Sequence, residues 1–167
     1  QVDIPMHNTW NKTIIDASIN PFQSFGGITE EYDLDGYTYR SHTFLYDTNN
    51  QTATNSGQTS YGFTVTQDIS VDFLIVAGGG AGGIGQDYPK DKAPGGGAGG
   101  LIYDTDQTLH GGTPYSVVVG AGGLGDAIKS SVSAQEDYAN GKDSSFNGNI
   151  AKGGGFGAVV IGLANTG

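Results

Sequence analysis

A chain of 167 residues can hold one domain around a single core and is short for two. Glycine supplies 30 positions with no G-X-Y period, cysteine none, and 17 Asp plus Glu against 7 Lys plus Arg leave a net charge of -10. Collagen, disulfides and thiolate chemistry are thereby excluded, a nucleic acid partner is disfavoured because its phosphates would be repelled, and no run long and apolar enough for membrane insertion occurs.

Residues 1–36 have mixed texture, with turn formers such as Asn20-Pro21 and Gly26-Gly27. They read as an N-terminal arm or connector with one short strand near 13–16. Its apolar residues Trp10, Ile14, Ile15, Phe22 and Phe25 are too few for a core of their own, so they are expected to dock on a partner. Within it, Asp33-x-Asp35-Gly36 is a fragment of a calcium loop without the later ligands, and a solvated acidic turn is the plainer reading.

From residue 37 to 167 the sequence reads as one glycine-rich β-sandwich module. β-Branched and aromatic runs at 37–47, 61–66, 71–77, 100–104, 115–120 and 158–164 are separated by Gly, Asn, Asp and Ser, and none has helical period. The run at 71–77 alternates Val71, Phe73 and Ile75 against Asp72, Leu74 and Val76, and reads as a central, covered strand. Residues 47–60 read as a polar surface loop.

Glycine is concentrated in clusters at 78–85, 95–100, 120–125 and 153–157, which hold 19 of the 30, and GGGAGG occurs twice. The first cluster satisfies G-x-G-x-x-G at Gly78, Gly80 and Gly83, with Asp104 about where a dinucleotide fold wants a ribose ligand. The helix that must follow is missing: Pro89, Pro94 and the next glycines cannot sustain it. No cofactor is expected. Ordered packing explains the clusters better than a flexible linker, since each abuts a β-run. Three-residue-per-turn helices of polyglycine II type, free of side chains, can lie close together and bond laterally. The structural glycines expected in such a layer are Gly78, Gly79, Gly80, Gly82, Gly83, Gly95, Gly96, Gly97, Gly99, Gly100, Gly120, Gly122, Gly123, Gly153, Gly154 and Gly155.

The succession FTVTQDISVDFLIVAGGGAGG, GGGAGGLIYD, TPYSVVVGAGG, GKDSSFNG and AKGGGFG resembles the glycine-rich modules of bacteriophage tail-fibre and other appendage proteins. It is also similar to the glycine-rich, tumour-necrosis-factor-like region of anaplastic lymphoma kinase. The resemblance spans about 37–167. It implies a jelly-roll-like β-sandwich with polyglycine II segments between strands, assembled as a homotrimer on the exterior of a virion. Partners would be other virion proteins, reached by the arm, and a host surface glycan or outer-membrane protein.

No other motif supplies chemistry. His7, His42 and His110 lack zinc-site spacing and read as surface or strand residues, and no G-x-S-x-G elbow exists. Paired carboxylates for glycoside cleavage cannot be read from the sequence alone. Asn11-Lys12-Thr13 and Asn50-Gln51-Thr52 match a glycosylation acceptor and mark exposed positions. Tyr88 and Tyr138, in loops beside the clusters, are candidate receptor contacts. The expectation is a non-enzymatic structural subunit of a phage particle, without catalytic, metal or cofactor residues. The alternative is a cellular surface or extracellular-filament protein that assembles through its glycine layer. The start without Met and the ending GLANTG read as a fragment or processed chain.

Overall fold

The computed structural model describes residues 1–8, 22–48, 57–83, 94–125 and 139–158. Ten strands follow in order: β1 (Val2–Asn8), β2 (Ser24–Phe25), β3 (Ile28–Leu34), β4 (Tyr37–Phe44), β5 (Gln58–Val65), β6 (Ile69–Val76), β7 (Leu101–Leu109), β8 (Pro114–Gly120), β9 (Ser144–Phe146) and β10 (Asn149–Ala151). One sheet has the order β3-β4-β1-β6-β7 and the other β10-β9-β8-β5-β2, with every pairing antiparallel. The fold is thus all-β, two five-stranded sheets packed as a sandwich.

Period-two alternation builds the interior. Ile69, Val71, Phe73 and Ile75 of β6 point inward and are buried, whereas Leu74 and Val76 lie half-buried on the outer face. Phe63 and Val65 of β5 and Val117 and Val119 of β8 meet them from the second sheet. Phe146 of β9 joins the layers, its ring edge-on to Phe73 at 5.4 Å and to Phe63 at 6.1 Å. Such aromatic crossings fill a core without the repulsion of a face-to-face stack.

The first 36 residues are built into both sheets wherever they are described. β1 lies between β4 and β6, and its fully buried Val2 stands opposite Phe44 and Ile75. The boundary at 36/37 falls inside the β3–β4 hairpin, at the end of its two-residue turn. Both residues there have left-handed backbone, Asp35 at φ 50° and Gly36 at 82°, which matches the twist of a hairpin. The acidic calcium-like fragment is therefore a turn. Asn147 and Gly148, at 48° and 79°, turn β9 into β10 in the same way. Of the residues expected to need a docking partner, Phe22 packs against the chain's own core and Phe25 is 54% exposed. Trp10, Ile14, Ile15 and the strand expected at 13–16 lie outside the described residues, as does the run at 158–164 beyond Ala158. Among the described residues no helix is long and apolar enough to cross a membrane.

Candidate functional site: the glycine layer

Strands β6, β8 and β10 run directly into glycine-rich segments at 77–83, 121–125 and 152–158, while segments 94–100 and 139–142 lead into β7 and β9. The five segments gather into one backbone-bonded layer with 77–83 at its centre. Ala77, Gly80 and Gly83 donate their N–H groups to the carbonyls of Gly100, Gly97 and Pro94 at 2.8 to 2.9 Å. Gly78 and Ala81 donate to Lys142 and Ala139, and the carbonyls of these same two residues accept from Gly154 and Gly157. The carbonyl of Gly79 accepts from Gly123 at 2.8 Å.

Around this hub the outer segments bond to one another. Gly97 and Gly100 donate to Gly155 and Lys152, Gly141 donates to Gly154, and Lys142 donates to Ala121. Wherever two segments share more than one bond, successive bonds are three residues apart. A β-ladder would repeat every two. The hub runs antiparallel to 94–100 and 139–142 but parallel to 152–158, so the layer accepts both directions.

Close approach explains the composition. A Cβ on Gly78 would lie 2.5 Å from the carbonyl carbon of Ala121, and its oxygen would be nearer still. Gly80, Gly83, Gly96, Gly99, Gly120, Gly123, Gly153 and Gly154 are blocked by facing backbone in the same manner, and Gly100 and Gly97 meet Lys152 and Gly155 backbone atoms at 3.0 and 3.4 Å. Gly79, Gly82, Gly95, Gly122 and Gly155 have room, with no closer neighbour than 3.6 Å. The layer therefore needs glycine where segments face each other and tolerates it elsewhere.

The segment at 139–142 was not evident as a member of the layer, because Gly141 is its only glycine. A Cβ there would come within 2.8 Å of the Gly79 carbonyl oxygen and closer to that of Gly78. Side chains fasten its two ends. Asn140 Oδ1 accepts the Phe156 N–H at 2.9 Å, and Asp143 accepts the Gly153 N–H at 2.8 Å and Lys152 Nζ at 2.7 Å. Hydrogen bonds from Lys152 and then Gly153 hold the Asp143 carboxyl below the usual aspartate range. Ser144 Oγ, buried, accepts the Gly120 N–H at 2.9 Å and ties β8 to the same edge.

Tyr88 and Tyr138 lie outside the described residues. Of the histidines, His110 is exposed and pairs with Asp68 at 3.1 Å, whereas His42 is wholly buried. Asp68 also accepts the Gly111 N–H, and that bond, followed by the one from His110, lowers its pKa. Among the described residues no group of three or more His, Asp or Glu side chains is placed to hold a metal ion.

A two-sheet antiparallel sandwich that ends in a bonded layer of glycine segments defines an all-β glycine-rich module. The chain belongs to the glycine-rich domain family, whose model matches residues 50–167. That match takes in β5 to β10 and all five segments of the layer, whereas β1 to β4, which complete both sheets, precede it. No curated protein matches the chain, and no solved structure does.

Proposed function

We propose that this chain is a non-enzymatic structural subunit of a phage particle, a fibre or capsid-decorating appendage exposed on the exterior. Its strands follow a jelly-roll-like course, and its glycine segments pack as helices of polyglycine II type. The observation that carries the structural part is the three-residue spacing of bonds between neighbouring segments. Three residues per turn is the repeat of the polyproline II helix, whose backbone leaves its N–H and C=O groups free to bond laterally. Packed in this way, backbone without side chains forms a stiff end to the sandwich, as a load-carrying or surface-presenting module requires.

The particle assignment rests on the sequence resemblance to phage appendage modules. An acidic surface carrying -10 suits a particle kept apart from other anionic surfaces. Self-assembly as a homotrimer, docking to other virion proteins and contact with a host glycan or outer-membrane protein belong to the same reading. Peptide mass spectrometry of gradient-purified particles tests it: the chain should co-purify with capsid and tail proteins at fixed stoichiometry. Recovery from cell-surface filaments of uninfected cells would replace this reading with that of a cellular filament protein.

A further inference from the structure

His42 is unusual for a histidine on the inner face of a sandwich: it has no solvent exposure, yet both ring nitrogens are bonded. Nδ1 stands 2.6 Å from the Gly26 carbonyl, and Thr29 Oγ1 is 3.4 Å away. A carbonyl can only accept, so Nδ1 carries the proton. Nε2 is then the acceptor, and it receives the hydroxyl hydrogen of Ser24, 2.8 Å away and itself only 8% exposed. Arg40 Nη1 approaches the same Ser24 oxygen at 3.4 Å as a donor, which leaves the hydroxyl hydrogen free for the ring.

These partners come from different places. Ser24 is in β2 of the second sheet, Gly26 is in the turn that carries the chain across to β3 of the first sheet, and His42 is in β4. The turn runs through Gly26 and Gly27, both at positive φ, and a Cβ on either would meet the Phe44 ring at 3.3 Å or less and a facing carbonyl oxygen as well. Beyond it, β2 is two residues long and pairs only with β5, through Ser24 with Val65 and Phe25 with Thr64. One imidazole therefore fastens a short edge strand and its crossover to the opposite sheet.

We propose that His42 is an acid-released clasp between the two sheets. The neutral ring satisfies Ser24 and Gly26 at once. A second proton on Nε2 turns that nitrogen into a donor facing the Ser24 hydroxyl. The hydroxyl must then rotate away, its hydrogen having no other acceptor among the described residues, while its oxygen faces two cationic donors.

The surroundings do not favour the imidazolium. On its own strand the charged neighbour is Arg40, whose guanidinium is paired with Glu31 of β3. From β1 comes Asp3, which belongs with Thr43 and Leu74 on the outer face, across the sheet from the ring. From β5 comes the Phe63 ring, 5.0 Å away in a T-shaped arrangement and without charge. Thr29 of β3 and Ser24 of β2 supply hydroxyls only. Burial, the largest influence, lowers the His42 pKa from its usual value of 6.5 and, with the Arg40 charge, outweighs the raising effects of the Gly26 bond and of Asp3. The proton is therefore held more tightly by the unfolded chain. Stability is full above pH 6.5 and falls as the pH drops through that value, by up to about tenfold in the folding equilibrium per pH unit for one proton.

The test is the unfolding equilibrium in urea between pH 7.5 and 5, for the wild type and for His42→Asn, whose amide can donate to Gly26 without titrating. The wild type should lose stability as the pH falls below 6.5, a loss that the variant lacks; parallel profiles would overturn the clasp. If the variant does not fold, nitrogen-15 spectra of the wild-type ring decide. Nδ1 protonated and Nε2 bare at pH 7, with acid shifts concentrated at Ser24 to Gly27 and Val65, is the expected result. A ring that titrates at its ordinary value without moving those amides would overturn the proposal.

Discussion

Replacing Gly78 by Ala should be among the most damaging single-methyl changes in this chain, while the same change at Gly82, four residues on in the same segment, should cost nothing. At Gly78 the new methyl carbon would lie 2.5 Å from the Ala121 carbonyl carbon and 3.0 Å from Gly122 N. Non-bonded carbons rest at about 3.5 to 4.0 Å, so segment 121–125 must move by about 1 Å or more. That movement strains the Gly78 bond to Lys142, the Lys142 bond to Ala121 and the Gly123 bond to Gly79. Three bonds at about 1 kcal/mol each, with about 1 to 3 kcal/mol for overpacking, give about 4 to 6 kcal/mol, a large part of a typical domain's 5 to 15. At Gly82 nothing lies within 4 Å and the backbone is outside the left-handed region. Ala there should stabilise by about 0.4 to 1 kcal/mol, by restricting the unfolded chain. Thermal unfolding by circular dichroism reads both, at about 2 to 4 °C per kcal/mol for a chain of this size. Equal losses at the two positions would refute the close-packed layer.

Three further outcomes follow from the same geometry. Phe146→Ala should cost about 3 to 5 kcal/mol in urea unfolding, because its ring is wholly buried between Phe73 and Phe63; a loss below about 1 kcal/mol would mean that the sheets do not meet there. The lowered pKa of Asp143 makes its contribution present above the unfolded value of 3.8 and lost as the pH falls through the folded value. Asp143→Asn should therefore weaken the wild type at pH 7 and flatten its stability profile below pH 4, and an unchanged acid limb would contradict the bond to Gly153. Gly122→Ala, where the nearest atom is 3.6 Å away, should leave the melting temperature within about 2 °C of wild type, whereas Gly123→Ala, facing the Ala139 carbonyl carbon at 2.6 Å, should lower it by about 10 °C.

The sequence displayed the β-runs at 61–66, 71–77, 100–104 and 115–120 and the glycine clusters because each has a strong local pattern, whereas the three-residue strands β9 and β10 are too short to show one. Val71, Phe73 and Ile75 alternate as a half-buried strand must, and they are buried together. β1 and β3 were hidden for physical reasons. β1 carries Pro5, which argues against a central strand, and its place in the sheet is set by β4 and β6 on either side. β3 is an edge strand whose seven residues are all exposed, so ITEEYDL shows no buried face. The Asp35-Gly36 and Asn147-Gly148 pairs are strong hairpin signals once strands are placed around them. The membership of 139–142 in the layer could not be read from one glycine, and the burial of His42 could not be read from a strand that also contains Arg40 and Ser41.

Amide hydrogen exchange at the glycines tests the central claim, that the clusters form a laterally bonded three-residue helix, most directly. In the hub, the N–H groups of residues 77, 80 and 83 point to one neighbour and those of 78 and 81 to another. The remaining pair, Gly79 and Gly82, lie on the exposed side, where a turn of three residues would place them. Slow exchange at Gly78, Gly80, Ala81 and Gly83 with fast exchange at Gly79 and Gly82 is the predicted record. Uniformly fast exchange would make the clusters flexible loops, and protection alternating every second residue would make them ordinary strands.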